Sequence, residues 1–169
     1  PQDLRQMRAG QVQFGWTHCV QQRAIAQNAI DRRLTLVSWE NMHHWGTRDE
    51  KLVHVFYRNN EIAGYAAVLH CLGLVGIDGR YGPPRRTVIL GYGSVSRGAV
   101  YALHALGFKD LRVYTRRPPY LVADRSPEAQ YGQYYPGADG RLWARSAEGR
   151  EVPLVDVLAE ADVICNGIL

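Results

Sequence analysis

Residues Arg86-Thr87-Val88-Ile89-Leu90 are followed at once by Gly91-Tyr92-Gly93-Ser94-Val95-Ser96-Arg97-Gly98, and then by Val100, Leu103 and Leu106 at three-residue spacing, closed by Gly107. The apolar β-branched run reads as a buried strand, the glycines as a sharp turn and the periodic segment as a helix. Leu111 to Thr115 reads as a second strand. A strand, turn, helix and strand within about 30 residues is the unit from which parallel sheets are built. The expected fold is therefore α/β, a Rossmann-like doubly wound parallel sheet.

A dinucleotide needs three things from such a turn: a sharp reversal, close approach of backbone to the pyrophosphate, and the free N–H groups and dipole of a helix N-terminus. Gly91 and Gly93 meet the first two, and Ser96 takes the third position of the fingerprint in the pattern Gly-x-Gly-x-x-Ser-x-Gly. Gly91, Tyr92, Gly93, Ser94, Val95 and Ser96 are accordingly the expected cofactor-binding turn. At the end of the second strand the chain reads Thr115-Arg116-Arg117. An acid there would accept the ribose hydroxyls of NAD, whereas guanidiniums match a 2′-phosphate, so NADP is expected rather than NAD. An ordinary flexible turn and two solvated arginines are the bland readings of the same residues.

Upstream, Val12 to Trp16, Leu34 to Trp39 and Leu52 to Tyr57 read as strands and Gln21 to Arg32 as a helix. Arg58-Asn59-Asn60-Glu61 supplies Asn N-cap candidates for a long helix over 60–76, whose Ala63, Gly64, Ala66, Ala67, Gly73 and Gly76 permit close backbone packing. The breaker cluster Asp78 to Pro84 marks a boundary. The expected organisation is 1–58 as part of a flavodoxin-like substrate domain, 59–84 as interdomain helix and linker, and 85–169 as a nucleotide-binding domain cut short at its end. Residues 118–152 show no clear period and predict an irregular excursion with a hairpin near Gly137 to Arg145, followed by a helix from Val155 to Glu160 and a strand from Asp162.

With 46% hydrophobic and 21% charged residues, the 169-residue chain is neither disordered nor collagenous nor a coiled coil. The net charge of +4 comes from 18 arginines and two lysines, Lys51 and Lys109, scattered without a basic block, which predicts no nucleic-acid partner. Cys19, Cys71 and Cys165 fit neither a disulfide framework nor a zinc site, and predict a reducing, cytoplasmic setting. The most apolar stretch, Ile62 to Ile77, falls short of the ~20 residues needed to span a bilayer. Pro1 to Arg8 has no signal-peptide core, and the missing initiator Met together with a final strand that stops at Leu169 as its loop begins predicts an internal fragment.

Among the histidines, His18 lies just beyond a strand end, where α/β folds face their ligands, and an imidazole suits proton donation to a carbonyl near neutral pH. A capping or core role is its plainer alternative. His43 and His44 read as loop surface, and His54, His70 and His104 as strand and helix positions without a chemical partner. No metal site, nucleophile elbow or phosphate-transfer lysine is visible.

Gln6-Met7-Arg8-Ala9-Gly10-Gln11-Val12-Gln13-Phe14-Gly15-Trp16-Thr17-His18 resembles the segment of the alanine dehydrogenase and transhydrogenase superfamily that ends in its substrate-binding histidine. Asn60-Glu61-Ile62-Ala63-Gly64 resembles that superfamily's Ser-Glu-Ile-Ala-Gly, and Trp39-Glu40-Asn41-Met42 with His54 to Gly64 looks closer to its opine-forming branch, the carboxyethylornithine synthases. The resemblance implies two domains, a nicotinamide cofactor, and reductive condensation of an oxo acid such as pyruvate with an amino-acid amine, in a homo-oligomer. It implies that His18 binds the oxo acid and supplies a proton, that Asn59 and Asn60 lie near the nicotinamide, and that Asn166 borders the cofactor. Two other readings stay open: an NAD-dependent alanine dehydrogenase, and a nucleotide-binding module without catalysis.

Overall fold

The computed structural model describes residues 3–168; Pro1, Gln2 and Leu169 lie outside the described residues. The chain divides into two compact units, one running up to Tyr57 and the other beginning at Arg58.

In the first unit, β1 (Val12–Gly15) and β2 (Thr35–Ser38) pair in parallel, Val12 opposite Thr35 and Gly15 opposite Ser38. The crossover between them is helix α1 (Arg23–Asp31), as a parallel pair requires. An antiparallel hairpin follows, β3 (His43–Trp45) with β4 (Lys51–His54). This corrects two expectations. His43 and His44 belong to a strand rather than a loop, because His54 lies opposite His43 and the two rings meet edge to face at 4.7 Å. The strand expected over Leu52 to Tyr57 stops at His54, because its Nδ1 accepts the Phe56 N–H at 3.1 Å and withdraws that donor from the ladder. Since Nδ1 accepts, Nε2 carries the proton and donates to the Trp39 carbonyl at 3.0 Å. His54 therefore has partners on both nitrogens, and its ring stacks on Trp16 within an aromatic group completed by Trp39 and Phe56.

Helix α2 (Tyr57–Val75) starts earlier than the Asn N-caps predict. Asn59 and Asn60 consequently lie inside its first turn instead of capping it. The helix ends at Gly76, whose φ of +63° favours glycine, and the Ile77 N–H closes the end on the Leu72 carbonyl. Among the described residues no helix is long and apolar enough to cross a membrane.

The second unit is built on one six-stranded sheet. Strand β5 (Arg86–Leu90) leads through helix α3 (Ser94–Ala105) to β6 (Asp110–Thr115), and β7 (Gln130–Pro136) continues the parallel array on the far side of β6. Strands β8 (Leu142–Arg145) and β9 (Glu151–Pro153) extend it antiparallel, then helix α4 (Leu154–Ala159) returns the chain to β10 (Val163–Asn166), parallel to β5 on its other edge. The spatial order is β10-β5-β6-β7-β8-β9. The region 118–152, expected to be irregular apart from a hairpin near Gly137 to Arg145, thus contains that hairpin as β7–β8 and a further strand, β9, beside it. The Tyr-rich alternation of β7, with Tyr131 and Tyr134 buried on opposite faces, is interrupted by Gly132 and Pro136, which masks the period.

Alternation along β5 sends Ile89 to one face, against α2 and α3 with Val100, Leu103 and Leu111, and Val88 to the other, against α4 with Tyr114, Leu154 and Val157. With both faces covered, the fold is Rossmann-like α/β. The crossing of α2 and α3 depends on two glycines: a Cβ on Gly64 would sit 1.9 Å from the Val95 carbonyl oxygen, and one on Gly98 would sit 1.8 Å from that of Glu61. Gly98 therefore serves helix–helix contact and not the phosphate turn. Of the other small residues of α2, Gly73 faces open space.

Candidate functional site

In a doubly wound sheet, ligands bind beyond the carboxyl ends of the strands where the strand order reverses. Here that point lies between β5 and β10, and the Gly91 turn stands at it. Gly91 has a φ of +81°, so the reversal needs glycine, and its N–H is held by the Tyr114 carbonyl at 2.8 Å. Gly93, the N-cap of α3, has extended backbone, and nothing lies within 4 Å of where its Cβ would be. Ser94, Val95 and Ser96 follow as the first turn, whose N–H groups have no carbonyl within the helix. Open space above a glycine at a helix N-terminus fits a pyrophosphate. Ser96 is 2% exposed, and a Cβ on Gly167 would sit 1.9 Å from its Oγ. The close packing a third glycine normally allows is here supplied by Gly167 on the facing loop. The Ser96 hydroxyl has no hydrogen-bond partner among the described residues.

A cleft of about 440 Å³ joins Gly91, Tyr92 and Gly93 to Arg116 and Arg117 beyond the end of β6. The Thr115 hydroxyl donates to the Arg117 carbonyl at 2.6 Å and Gln133 donates to that of Arg116 at 3.0 Å, so the backbone bearing both arginines is anchored. Both side chains are exposed, and neither has an ion-pair partner among the described residues. The nearest acid of this strand, Asp110, begins β6 and is spent on Arg112 and Arg86 at its opposite end. Arg97 also lines the cleft and was not singled out from the sequence, although an arginine in the first turn of such a helix is a readable signal.

Other expected residues lie elsewhere. Val95, Ser96 and Asn166 line a separate apolar groove of about 230 Å³ with Gly64, Val68 and Cys165. Asn166 ends β10 opposite Leu90, and its side-chain oxygen accepts the Ile168 N–H at 3.1 Å. Asn59 and Asn60 line neither space. His104, expected without a partner, lies 3.4 Å from Glu128 at the surface. Cys19, Cys71 and Cys165 are free thiols, and burial pushes the Cys165 thiol up. Among the described residues no three His, Cys, Asp or Glu side chains are grouped to hold a metal.

In the first unit, Thr17 and His18 follow the end of β1, and Glu40 follows the neighbouring end of β2. The Glu40 carboxylate accepts the peptide N–H groups of His18 and Thr17 and the Ser38 hydroxyl, which in turn lies 3.0 Å from the Thr17 hydroxyl. His18 has a φ of +49°, a conformation a non-glycine residue adopts only when its surroundings enforce it. The same carboxylate lies 3.4 Å from His18 Nδ1, leaving the rest of a half-exposed ring open. Burial pushes the Glu40 carboxyl up, but the hydrogen bonds from Ser38, His18 and Thr17 outweigh it and hold the group at about 2, against an ordinary 4.5. Glu40 was given no role in the sequence reading, although it lies just past the second strand and within the Trp39-Glu40-Asn41-Met42 segment that carries the resemblance.

A depressed carboxyl stabilises the fold above its unfolded pKa, and that stabilisation is lost as pH falls through the folded one. Glu40 should therefore contribute fully above pH 4.5 and lose its contribution toward about pH 2. Glu40→Gln is expected to lower neutral-pH stability by about 1–3 kcal/mol and to flatten the acid limb between those values. Urea unfolding from pH 2 to 7 checks this; a variant with the wild-type acid dependence would assign it to another group.

No protein-family model matches the chain. Over 139 residues it is 31% identical to the N(5)-(carboxyethyl)ornithine synthase of Clostridium botulinum, an alignment that covers 76% of this chain and 42% of that protein. The chain thus spans less than half the length of this curated relative. What the alignment establishes is a distant similarity between a chain with a Rossmann-like α/β fold and a protein named as a synthase.

Proposed function

We propose that the chain belongs to an NADP-dependent oxidoreductase that reductively condenses an oxo acid such as pyruvate with the amine of an amino acid. The observation that carries the cofactor reading is the cleft in which an open glycine turn and a helix N-terminus share a wall with two guanidiniums that have no ion-pair partner among the described residues. The name of the relative supports the reaction class. In this reading the backbone of Gly91 and Gly93 and the first-turn N–H groups of Ser94 to Ser96 hold the pyrophosphate, and Arg116 and Arg117 take the 2′-phosphate. A bound nicotinamide supplies the hydride that reduces the imine. His18, steadied by Glu40, gives a proton to the oxo-acid oxygen that leaves as water when the amine condenses. Asn59, Asn60 and Asn166 remain assigned to the cofactor on the family resemblance. The absence of a carboxylate at the end of β6 favours NADP over the NAD of an alanine dehydrogenase.

Replacing Arg116 and Arg117 by Ala should weaken NADPH binding by roughly 2–4 kcal/mol, two charged hydrogen-bonding groups with incomplete additivity. NADH binding should change little. Calorimetry with both cofactors decides it, and equal losses would remove the 2′-phosphate assignment. NADPH oxidation with pyruvate or glyoxylate against a panel of amino acids tests the reaction.

A further inference from the structure

We propose that Arg97 is a third cation of this cleft, directed at the pyrophosphate, and that Asp124 is an intramolecular stand-in that the dinucleotide displaces. The inference rests on the dinucleotide reading above. Arg97 lies in the first turn of α3, its N–H on the Gly93 carbonyl at 3.0 Å and its side chain in the cleft wall. Its guanidinium lies over the Tyr92 ring, 5.4 Å from the centroid. One nitrogen, Nη2, donates to both Asp124 Oδ2 and the Ala123 carbonyl, each at 3.1 Å. Among the described residues the cleft lining contains three arginines and no carboxylate, and of the three Arg97 is the one that meets an acid, Asp124, next in the chain to the lining residue Ala123.

The segment carrying Asp124 is a strap. Tyr92 ties it to the turn, its hydroxyl donating to the Asp124 carbonyl at 3.3 Å and accepting the Ser126 N–H at 3.1 Å. Asp124 itself has a φ of +49°, and its side chain is 82% exposed. An exposed ion pair is weak, typically under about 1 kcal/mol, whereas a doubly charged pyrophosphate offers the same guanidinium stronger charge-assisted bonds. Arg97 is therefore held in place by an anion that costs little to replace. The carboxylate keeps the guanidinium oriented at the helix N-terminus, and it repels the incoming phosphates until it gives way.

The test is calorimetric binding of NADPH and NADH by the intact chain and by Asp124→Asn, since asparagine tolerates positive φ and leaves the strap's backbone bonds in place. Binding of both cofactors should tighten by roughly two- to fivefold, the value of an exposed pair released. Both respond because the pyrophosphate is common to them, unlike the Arg116 and Arg117 effect. Arg97→Gln should weaken both by roughly tenfold or more. In the double variant the gain from Asp124→Asn should vanish, because the cycle isolates the pair. Asp124→Gly, equally at home at positive φ, reads the same coupling should the Asn variant fold poorly. A strap that merely builds the cleft wall predicts the opposite sign, so unchanged or weaker binding in Asp124→Asn overturns the proposal while wild-type binding leaves the cofactor reading standing. Wild-type protein that binds neither dinucleotide overturns both.

Discussion

His18→Ala should lower turnover by roughly 10²–10⁴-fold, the usual range for a positioned acid or base. The expectation rests on a side chain whose peptide N–H is clasped by Glu40, whose φ of +49° is enforced, and whose ring is half exposed with one nitrogen 3.4 Å from the carboxylate. A residue held this way in a strained conformation without a core to fill is poorly explained by packing. Cofactor affinity should be retained, since the glycine turn and its arginines belong to the other unit. His18→Asn separates the two roles of the ring. Asparagine keeps hydrogen bonding and accepts the left-handed backbone, but it cannot titrate; positioning alone predicts partial rescue, and proton donation predicts none. A capping role predicts instead a lowered unfolding midpoint with activity restored in the cold. Turnover and unfolding measured on the same variants distinguish these outcomes, and an Ala variant of near wild-type turnover would exclude His18 from the chemistry.

Gly93→Val should abolish measurable cofactor binding while leaving cooperative unfolding intact. The backbone there is extended, with a φ of −89° and a ψ of −172°, and a Cβ meets nothing within 4 Å, so the fold accommodates valine. The added methyls occupy the space over the α3 N-terminus that the pyrophosphate needs. Losing two or more charge-assisted bonds at about 1.5–3 kcal/mol each corresponds to more than roughly 100-fold in affinity. The neighbouring glycines would not give so clean a test. Gly91 needs its positive φ, and a Cβ on Gly98 would collide with the Glu61 carbonyl oxygen, so substitution at either disturbs folding before binding. Calorimetry and thermal unfolding on Gly93→Val are decisive: wild-type affinity would reduce the glycine cluster to a turn.

Strand β5, the Gly91 turn, helix α3 and strand β6 were legible in the sequence because each is specified locally. A β-branched run, a glycine that needs positive φ and a three-residue period depend only on neighbours a few positions away. The doubly wound sheet followed from their order, and Arg116 and Arg117 were placed beside the turn by the pairing that order imposes. Of the meander β7–β8–β9 the hairpin near Gly137 to Arg145 was legible, but the extent of β7 and the existence of β9 were not, because Gly132 and Pro136 interrupt the alternation and only pairing across the sheet makes strands of those segments. The same holds for the start of α2, where the two-sided hydrogen bonding of His54 ends the preceding strand and leaves Asn59 and Asn60 inside the helix. What the tertiary structure alone decided are the contacts across long stretches of chain: Glu40 beneath His18, Gly167 against Ser96, Gly98 against α2, and Asp124 on Arg97. Each joins residues more than 20 positions apart, and no local propensity encodes a partner at that separation; only the folded topology brings the groups within bonding distance.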